Sequence, residues 1–244
     1  MQFLYLLYQL FIGLPIFLVI TIITAIVTIL GTRFGNGHFW GYYPGKVWSK
    51  LTCIIFLLPI KIEGKENIDK DTSYIFLANH QGSFDIFLIY GYLKRNFKWM
   101  MKKELRQLPL VGKACESAGS IFVDNSTPRK VYETIKGAER ILQGGTSMVV
   151  FPEGARTYTG KMRAFKRGAY QMADQLQMPI VPLTIDGSFE VLPRTGHKLT
   201  WHRMKLTIHK PIYPQGKGAD NIKALMEESY QAIESALPEK HRGK

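Results

Sequence analysis

The chain contains 244 residues, with 32 Lys and Arg against 19 Asp and Glu, and its formal net charge is +13. Its mean hydropathy of -0.05 suggests an ordinary soluble protein, but no Lys, Arg, Asp or Glu occurs before Arg33. The composition excludes disordered, collagen-like and coiled-coil classes. The two cysteines, Cys53 and Cys115, form no CxxC pair, so we expect neither a disulfide scaffold nor a zinc site. The basic excess indicates an anionic partner.

The first segment, residues 3–30, is almost continuously apolar and predicts a membrane helix. A helix of that length measures roughly 42 Å, against about 30 Å of hydrocarbon, so it would tilt, kink at Pro15 or use part of its length. A cleaved signal peptide is the alternative, but the segment lacks a basic start and a small-residue cleavage site. We expect a retained anchor that either crosses the bilayer or enters one leaflet.

A second apolar stretch, residues 44–58, predicts a helix of about 22 Å, which is too short to span. We expect it to lie in one leaflet, and a buried core helix is the alternative. Arg33, Lys46 and Lys50 follow the first segment, so the positive-inside rule predicts a membrane-associated protein whose C-terminal part faces the cytoplasm, if the segment spans. These patterns divide the chain into membrane-associated helices (1–60) and a catalytic or binding domain (61–244).

The remainder alternates between short β-rich runs and amphipathic helices, which predicts an α/β fold with a mostly parallel sheet covered by helices. Strands are predicted at 61–63, 74–78, 120–124, 147–151, 180–185 and 205–208. Helices are predicted from Phe84, over 131–142, over 164–177 and over 222–237. Pro182 lies inside a predicted strand and indicates an edge or a bulge there.

A first group of polar residues, 79–85, follows the predicted strand 74–78 directly. His80 and Asp85 would lie about 140° apart on a straight helix, so they meet only if the chain turns first. Gly82 supplies such a turn, and Ser83 is the expected N-cap of the helix that follows. Asp85 would then orient His80, a natural base for a hydroxyl near neutral pH. The alternative is a structural histidine beside a capping aspartate.

A second group, residues 151–156, follows the predicted strand 147–151. Pro152 and Gly154 predict a tight turn that presents Glu153 and Arg156 at the sheet edge. Arginine offers a two-pronged fork that suits phosphate, and Glu153 could orient a substrate hydroxyl or the arginine. The alternative is a structural Glu–Arg pair. Further cations follow nearby, so this edge is locally basic: Lys161, Arg163, Lys166 and Arg167.

Taken in order, these groups resemble the four motifs of the glycerolipid acyltransferase family, most closely the lysophosphatidate acyltransferases. Asn79-His80 with Asp85 resembles the NHxxxxD motif, and residues 103–105 with 119–124 resemble the second motif. Residues 151–154 with Arg156 resemble the FPEGxR motif, and Val181-Pro182 resembles the last. The match covers roughly 64–187. The N-terminal helices resemble the membrane-docking motif of bacterial members.

The resemblance implies an activity and a role for each matching residue. His80 would be the general base and Asp85 its orienting partner, in direct acyl transfer from a thioester to the sn-2 hydroxyl of lysophosphatidic acid. Glu153, Gly154 and Arg156 would belong to the phosphate and glycerol site, with Lys103 and Lys166 as further contacts. The product would be phosphatidic acid, the co-substrate acyl-CoA or acyl-carrier protein, and no cofactor or metal would be needed.

Two departures from the family pattern affect the expected phosphate site. Many members carry Arg where this chain has Asn125, and Arg129 is a possible substitute. Ala155 replaces a common Thr. Other acceptors within the class are another lysophospholipid, an ornithine-type lipid or glycerol 3-phosphate. Outside the class, a catalytically silent membrane-binding module leaves the His–Asp pair without a purpose, and a nucleic-acid binder leaves the apolar N-terminus unexplained, so we expect a bilayer and not nucleic acid as partner.

Overall fold

The computed structural model describes residues 2–124, 126–143 and 146–243. The strands are β1 (Ile60–Glu63), β2 (Ile75–Ala78), β3 (Phe97–Lys102), β4 (Ile121–Val123), β5 (Ser147–Val150), β6 (Ile180–Asp186) and β7 (Met204–Ile208). The helices are α1 (Gln2–Tyr8), α2 (Leu14–Phe34), α3 (Gly37–Trp40), α4 (Tyr43–Ile55), α5 (Asp85–Tyr92), α6 (Val111–Ser117), α7 (Pro128–Gln143), α8 (Gly168–Leu176), α9 (Ser188–Val191) and α10 (Ala219–Ser235).

The described strands form one sheet in the order β1-β7-β6-β2-β5-β3-β4. Every neighbouring pair is parallel except β6 and β7, which are antiparallel. The central strands β2 and β5 are fully buried apolar runs, as a sheet covered on both faces requires. The predicted α/β class with a mostly parallel, helix-covered sheet is therefore confirmed.

The sequence prediction failed for β3, which was not expected to be a strand. Its residues alternate between buried and less buried positions, with Phe97 and Trp99 facing the core. Lys98 and Lys102 interrupt the apolar run, so the segment lacks the continuous hydrophobicity that marked the other strands. Because β3 lies beside β5 on one side and β4 on the other, it extends the sheet beyond the predicted strands.

Two smaller predictions were also wrong. Helix α8 begins at Gly168, after a loop that replaces the predicted helical start at residue 164. Pro182 lies in β6, which is paired on both sides and is not an edge. The antiparallel register with β7 begins at Leu183, so the missing N–H of the proline precedes that ladder.

The N-terminal helices pack on the sheet domain but keep an exposed apolar face. Within the described residues, one helix, Gln2–Phe34, is long and apolar enough to cross a membrane, and only 11% of its most apolar 18-residue stretch is buried. A π-helical turn, Gln9–Gly13, joins α1 to α2. Helix α4 buries Ser49, Thr52 and Cys53 against the domain, as a core helix would. It also exposes the apolar side chains of Val47, Leu51 and Ile54, as a helix that lies in one leaflet would.

The contacts of the N-terminal helix extend along most of its length. Tyr5 donates a hydrogen bond to the carbonyl of Phe56 at 2.6 Å, and Thr21 Oγ1 accepts one from Trp48 Nε1 at 2.8 Å. Near the other end, Gly31 lies directly against the Trp40 ring, where an added Cβ would come within 2.5 Å of Cγ. The helix is thus held against the rest of the protein from its first turn to its last.

Candidate active site

Two loops meet at the edge where the parallel strands β2 and β5 end. The loop from Asn79 follows β2, and the loop from Phe151 follows β5; the two strands are direct neighbours. The Asn79 side chain exchanges hydrogen bonds with the backbone of Ile185 in β6, at 2.9 Å and 2.7 Å. These bonds fix the start of the first loop to the neighbouring strand. The carboxyl ends of parallel strands are where ligand sites form in such sheets.

His80 and Asp85 form the close pair that the sequence predicted. His80 Nδ1 lies 2.7 Å from Asp85 Oδ2, and Asp85 is fully buried. The same Oδ2 atom accepts the backbone N–H groups of Gln81, at 2.7 Å, and Gly82, at 3.1 Å. Since Oδ2 serves as an acceptor for these bonds, we assign the proton of the neutral imidazole to Nδ1. The lone pair then lies on Nε2, and the ring can act as a base there.

The predicted N-cap at Ser83 is wrong. Helix α5 begins at Asp85, the preceding cap position is Phe84, and no side chain caps it. Asp85 instead reaches back to the turn, while the Ser83 hydroxyl accepts a hydrogen bond from Arg156 Nη1. Ser83 therefore links the first loop to the second.

The His80 ring is also held by an aromatic stack. Its centroid lies 3.8 Å from that of Phe151, with an interplanar angle of 11°. Phe151 in turn stacks on Trp99, at 5.8 Å and 18°. The imidazole is thus fixed by a hydrogen bond at one ring nitrogen and by a parallel ring on its face. A fixed base loses little orientational freedom when a hydroxyl binds.

Glu153 is a buried carboxyl that joins three segments of the site. Its Oε1 accepts the N–H of His80 at 2.7 Å, and its Oε2 accepts the N–H of Arg163 at 3.0 Å. Burial raises its pKa to about 7, although both backbone hydrogen bonds oppose that change. Because both oxygens bind backbone groups and the residue is only 2% exposed, Glu153 positions the loops.

Gly154, Arg156 and Lys166 surround the turn after Glu153. Gly154 has φ +75°, and a Cβ there would lie 2.8 Å from Lys166 Nζ, so the turn requires glycine and Lys166 lies across it. The N–H of Lys166 donates to the carbonyl of Pro152 at 2.9 Å. The structure therefore brings six predicted site residues to one edge of the sheet: His80, Asp85, Glu153, Gly154, Arg156 and Lys166.

Lys103 has a different arrangement from the six other candidates. It lies just after β3 and binds Asp124 Oδ2 at 2.9 Å, an oxygen that Lys130 also approaches at 3.3 Å. Asn125 lies outside the described residues. Arg129, the possible substitute for an arginine there, pairs with Glu133 on its own helix at 3.0 Å. Among the described residues, no group of three or more His, Cys, Asp or Glu side chains is placed to hold a metal ion.

Comparison with known proteins matches these motifs to a family. A family model described as Acyltransferase matches residues 59–186, which include both site loops. The chain belongs to the acyltransferase family. This confirms the resemblance that the four motifs predicted.

Several relatives of this family member carry a more specific name. A 1-acyl-sn-glycerol-3-phosphate acyltransferase of Saccharomyces cerevisiae is 31% identical over 220 residues, which are 88% of this chain and 71% of the yeast protein. A chloroplastic enzyme of the same name from Arabidopsis thaliana is 30% identical over 181 residues, 73% of this chain and 50% of that protein. The chain thus spans about half the length of the plant relatives it matches.

The fold of this acyltransferase-family protein also matches a solved structure. The 1-acyl-sn-glycerophosphate acyltransferase of Thermotoga maritima aligns with a TM-score of 0.77 at 25% sequence identity. The alignment covers 96% of this chain and 95% of the Thermotoga chain. Because the match extends over nearly the whole chain, it includes the N-terminal helices as well as the sheet.

Some residues of the site were not predicted from the sequence. Arg194 lies over the ring of Tyr158 at 4.2 Å and donates to the carbonyl of Arg156 at 3.2 Å. Thr157 donates its N–H to the carbonyl of His80 at 2.9 Å. Arg194 lies 38 positions after Arg156 and belongs to no motif, so only the folded chain reveals its contact. Phe151 was part of a recognised motif, but its stacking on the imidazole was not foreseen.

Proposed function

We propose that this protein transfers a fatty acyl group from an acyl thioester to the sn-2 hydroxyl of lysophosphatidic acid and so makes phosphatidic acid. The observation that carries this proposal is the buried Asp85 carboxylate on His80 Nδ1, which leaves Nε2 as the basic nitrogen of an oriented ring. The names of the matching yeast, plant and Thermotoga proteins support the same acceptor. A catalytically silent binding module would have no need for such a base.

In the proposed reaction, His80 Nε2 accepts the proton of the sn-2 hydroxyl as that oxygen attacks the thioester carbonyl carbon. Asp85 stabilises the imidazolium that forms. The tetrahedral intermediate then collapses, the C–S bond breaks, and the departing thiolate takes the proton from Nε2. An ester and a free thiol result, and the histidine returns to its starting state. No acyl-enzyme forms, and no cofactor is required.

We further propose that the acceptor's phosphate binds at the cationic edge beside the base. Arg156 is held by Ser83 from the His80 loop, and Lys166 lies across Gly154. Arginine can bind phosphate through two parallel N–H groups, and lysine adds a point charge. Lys103 would join this site if the phosphate competes with Asp124 for its ammonium group. Glu153 would contribute by shaping both loops.

The acceptor and the donor each have alternatives. Another lysophospholipid, an ornithine-type lipid or glycerol 3-phosphate would use the same base. Arg156 and Lys166 favour a phosphate monoester, because two positive groups suit a dianion. Acyl-CoA and acyl-carrier protein both supply a thioester, so either would serve as co-substrate.

We propose that residues 1–60 dock the protein on a bilayer and that residues 61–244 form the catalytic part, which faces the cytoplasm. The exposed apolar face of Gln2–Phe34 and α4 supports this division. The N-terminal helix also contacts the catalytic part itself, because Gln9 donates to the carbonyl of Leu199 and the Phe17 ring lies 6.0 Å from that of Phe87. These contacts favour a helix that lies in one leaflet, since a spanning helix could not keep a water-facing domain against it at these positions.

One experiment tests the proposed reaction directly. Purified protein is incubated with lysophosphatidic acid and either acyl-CoA or acyl-carrier protein, and the products are identified by mass spectrometry. We expect phosphatidic acid with at least one donor. Competing lysolipids with other headgroups, added in equal amounts, give the acceptor preference. Transfer to a competitor but not to lysophosphatidic acid would refute the proposed acceptor.

A further inference from the structure

The C-terminal end of α4 and the chain just after it are capped by aromatic side chains. The last carbonyl groups of a helix have no partner within the helix and usually bind water or a neighbouring polar group. Here three successive carbonyls each accept a hydrogen bond from a distant aromatic residue. The pairs are Tyr8 to Ile55 at 2.8 Å, Tyr5 to Phe56 at 2.6 Å and Trp201 to Leu57 at 2.8 Å.

Such capping is what a helix end needs where water is scarce. A backbone carbonyl without a partner is strongly unfavourable in hydrocarbon, so polar backbone groups there must be satisfied by the protein itself. The apolar residue Leu57, whose carbonyl is the third of these, is itself 54% exposed, as a residue that faces hydrocarbon would be. Its φ is +53°, an uncommon value for a residue with a branched side chain.

The loop that carries Trp201 is attached to the same place. Gln9 Nε2 donates to the carbonyl of Leu199 at 3.0 Å, so the loop is held at the π-helical turn as well as at the end of α4. Trp201 is 56% exposed. Because its single N–H is bound to Leu57, the exposed part of the side chain is apolar ring surface, beside the exposed Ile54 and Leu57.

Positive and titratable side chains flank this tryptophan. Lys198, His202 and Arg203 are all exposed. Among the described residues, none of the three forms a salt bridge. An aromatic ring with lysine and arginine beside it is the composition found where proteins meet lipid headgroups.

We propose that residues 198–203 form a third membrane-docking element, in which Trp201 enters the interface beside the end of α4 while Lys198 and Arg203 bind the phosphates of anionic lipids. The partner is a bilayer that contains anionic phospholipid. This inference rests on the proposed membrane location of the N-terminal helices and adds a segment from the catalytic part of the chain.

The topology of the sheet places this element at the same edge as the candidate site. It also places an exposed tyrosine at the opposite edge, where a control substitution can be made. Because β7 is antiparallel to β6, the loop before β7 lies at the sheet edge where β6 ends, the edge of the His80 loop. Docking there would hold that edge toward the lipid. Tyr213 follows β7 beyond Ile212, which bridges to the first residue of β6, so it lies at the opposite edge with 55% exposure.

The first test is the binding of purified full-length protein to vesicles, measured by cosedimentation without substrates. We expect Trp201→Ala to weaken binding about tenfold, because a large apolar side chain no longer leaves water. Tyr213→Ala, with a similar exposed aromatic, should bind as the unchanged protein does. If Trp201→Ala binds like the unchanged protein, the proposal is wrong.

A conservative variant keeps the test valid if Trp201→Ala does not fold. Trp201→Phe retains an apolar ring but loses the N–H group, and we expect it to keep most of the vesicle binding. Quenching by brominated phospholipids is then compared between the unchanged protein and Trp201→Phe. Greater quenching in the unchanged protein supports Trp201 in the interface, and equal fractional quenching in both contradicts it.

The charges are tested with mixed phosphatidylcholine–phosphatidylglycerol vesicles. The double variant Lys198→Glu with Arg203→Glu should reduce binding to these vesicles about tenfold or more, because anionic lipid attracts each of the two cations. The difference should vanish on pure phosphatidylcholine, because that surface carries no net charge. Lys210→Glu with Lys217→Glu, two exposed lysines after β7, is the matched control. Unchanged vesicle binding with a loss of turnover on acyl-carrier protein alone would assign these charges to an acidic protein and overturn the proposal.

A separate assay distinguishes this inference from the proposed reaction. Acyl transfer to lysophosphatidic acid dispersed in detergent should be retained by Trp201→Ala, while transfer on vesicles should fall with binding. If the unchanged protein transfers no acyl group but Trp201→Ala still weakens vesicle binding, the docking element stands and the proposed reaction fails. If transfer occurs and vesicle binding is insensitive to Trp201, the reaction stands and the docking element fails.

Discussion

The candidate site and the docking surface that we propose, which comprises the end of α4 and residues 198–203, both depend on hydrogen bonds between side chains and backbone, but in opposite directions. At the site, buried polar side chains such as Asp85 and Glu153 accept backbone N–H groups and so hold their loops in place. At the docking surface, the aromatic side chains Tyr5 and Trp201 donate to backbone carbonyls, and Trp201 leaves apolar ring surface exposed. One region therefore holds the His80 ring in a fixed orientation, and the other gives backbone carbonyls partners beside exposed apolar side chains, as a surface that faces lipid would require.

The largest expected effect is a loss of kcat when the carboxylate that orients His80 is replaced. Asp85→Asn keeps the size of the side chain but can present an N–H to His80 Nδ1, which favours the wrong tautomer. We expect kcat to fall by about 10³-fold, with vesicle binding unchanged. Steady-state kinetics and vesicle cosedimentation check both halves of this prediction.

Asp71→Asn, at an exposed loop position, is the control for this substitution and should leave kcat unchanged. If Asp85→Asn keeps normal turnover, the imidazole does not depend on the buried carboxylate.

A smaller effect should follow from removing the arginine of the second loop. Arg156→Ala deletes the fork that we assign to the acceptor's phosphate, so KM for lysophosphatidic acid should rise about 10²-fold while KM for the acyl donor changes little. Arg129→Ala tests the other candidate. Its side chain pairs with Glu133 on the surface of α7, so we expect normal kinetics.

Equal rises in both Michaelis constants for Arg156→Ala would contradict an acceptor-specific role. A large effect of Arg129→Ala would show instead that this arginine provides the contact that many family members obtain from the position of Asn125.

The smallest effect concerns stability. Burial raises the Glu153 pKa from its ordinary 4.5 to about 7, so the folded protein takes up a proton that the unfolded chain does not bind between these values. Stability should therefore fall as pH rises through this window, by up to about 3 kcal/mol from this group. Thermal unfolding in detergent from pH 4.5 to 8 measures the change.

Glu153→Gln should be less stable overall, because an amide cannot accept both N–H groups, but it should lose this part of the pH dependence. Glu66→Gln, at an exposed position, should retain it. Identical pH profiles for Glu153→Gln and the unchanged protein would show that this carboxyl does not titrate in the window.

The sheet and the contact between His80 and Asp85 could be predicted because their signals are local. Strands such as β2 and β5 are continuous apolar runs, and His80 and Asp85 are only five residues apart. β3 was missed because two lysines interrupt its hydrophobic pattern. Arg194 and Trp201 could not be assigned, since their partners, Arg156 and Leu57, lie 38 and 144 positions away. Contacts at that separation are set by tertiary packing, which the local pattern does not encode.

Glu153 shows a second limit of the sequence. Its motif predicted that it orients a substrate hydroxyl or Arg156, whereas the fold directs its carboxylate to the backbone of two loops. Both of its oxygens bind backbone N–H groups, one of them from His80 itself. A motif identifies which residues belong together, whereas the direction of each side chain depends on the loops around it.

The most direct test of the central claim separates the base from the docking surface in one variant. In His80→Ala, vesicle binding should stay close to that of the unchanged protein, because the docking residues keep their own hydrogen bonds. Thermal stability should fall, because Asp85 loses a buried partner and Phe151 loses its stacked ring. Acyl transfer to lysophosphatidic acid, followed by mass spectrometry, should fall by about 10³-fold or more. Turnover close to that of the unchanged protein would contradict His80 as the general base.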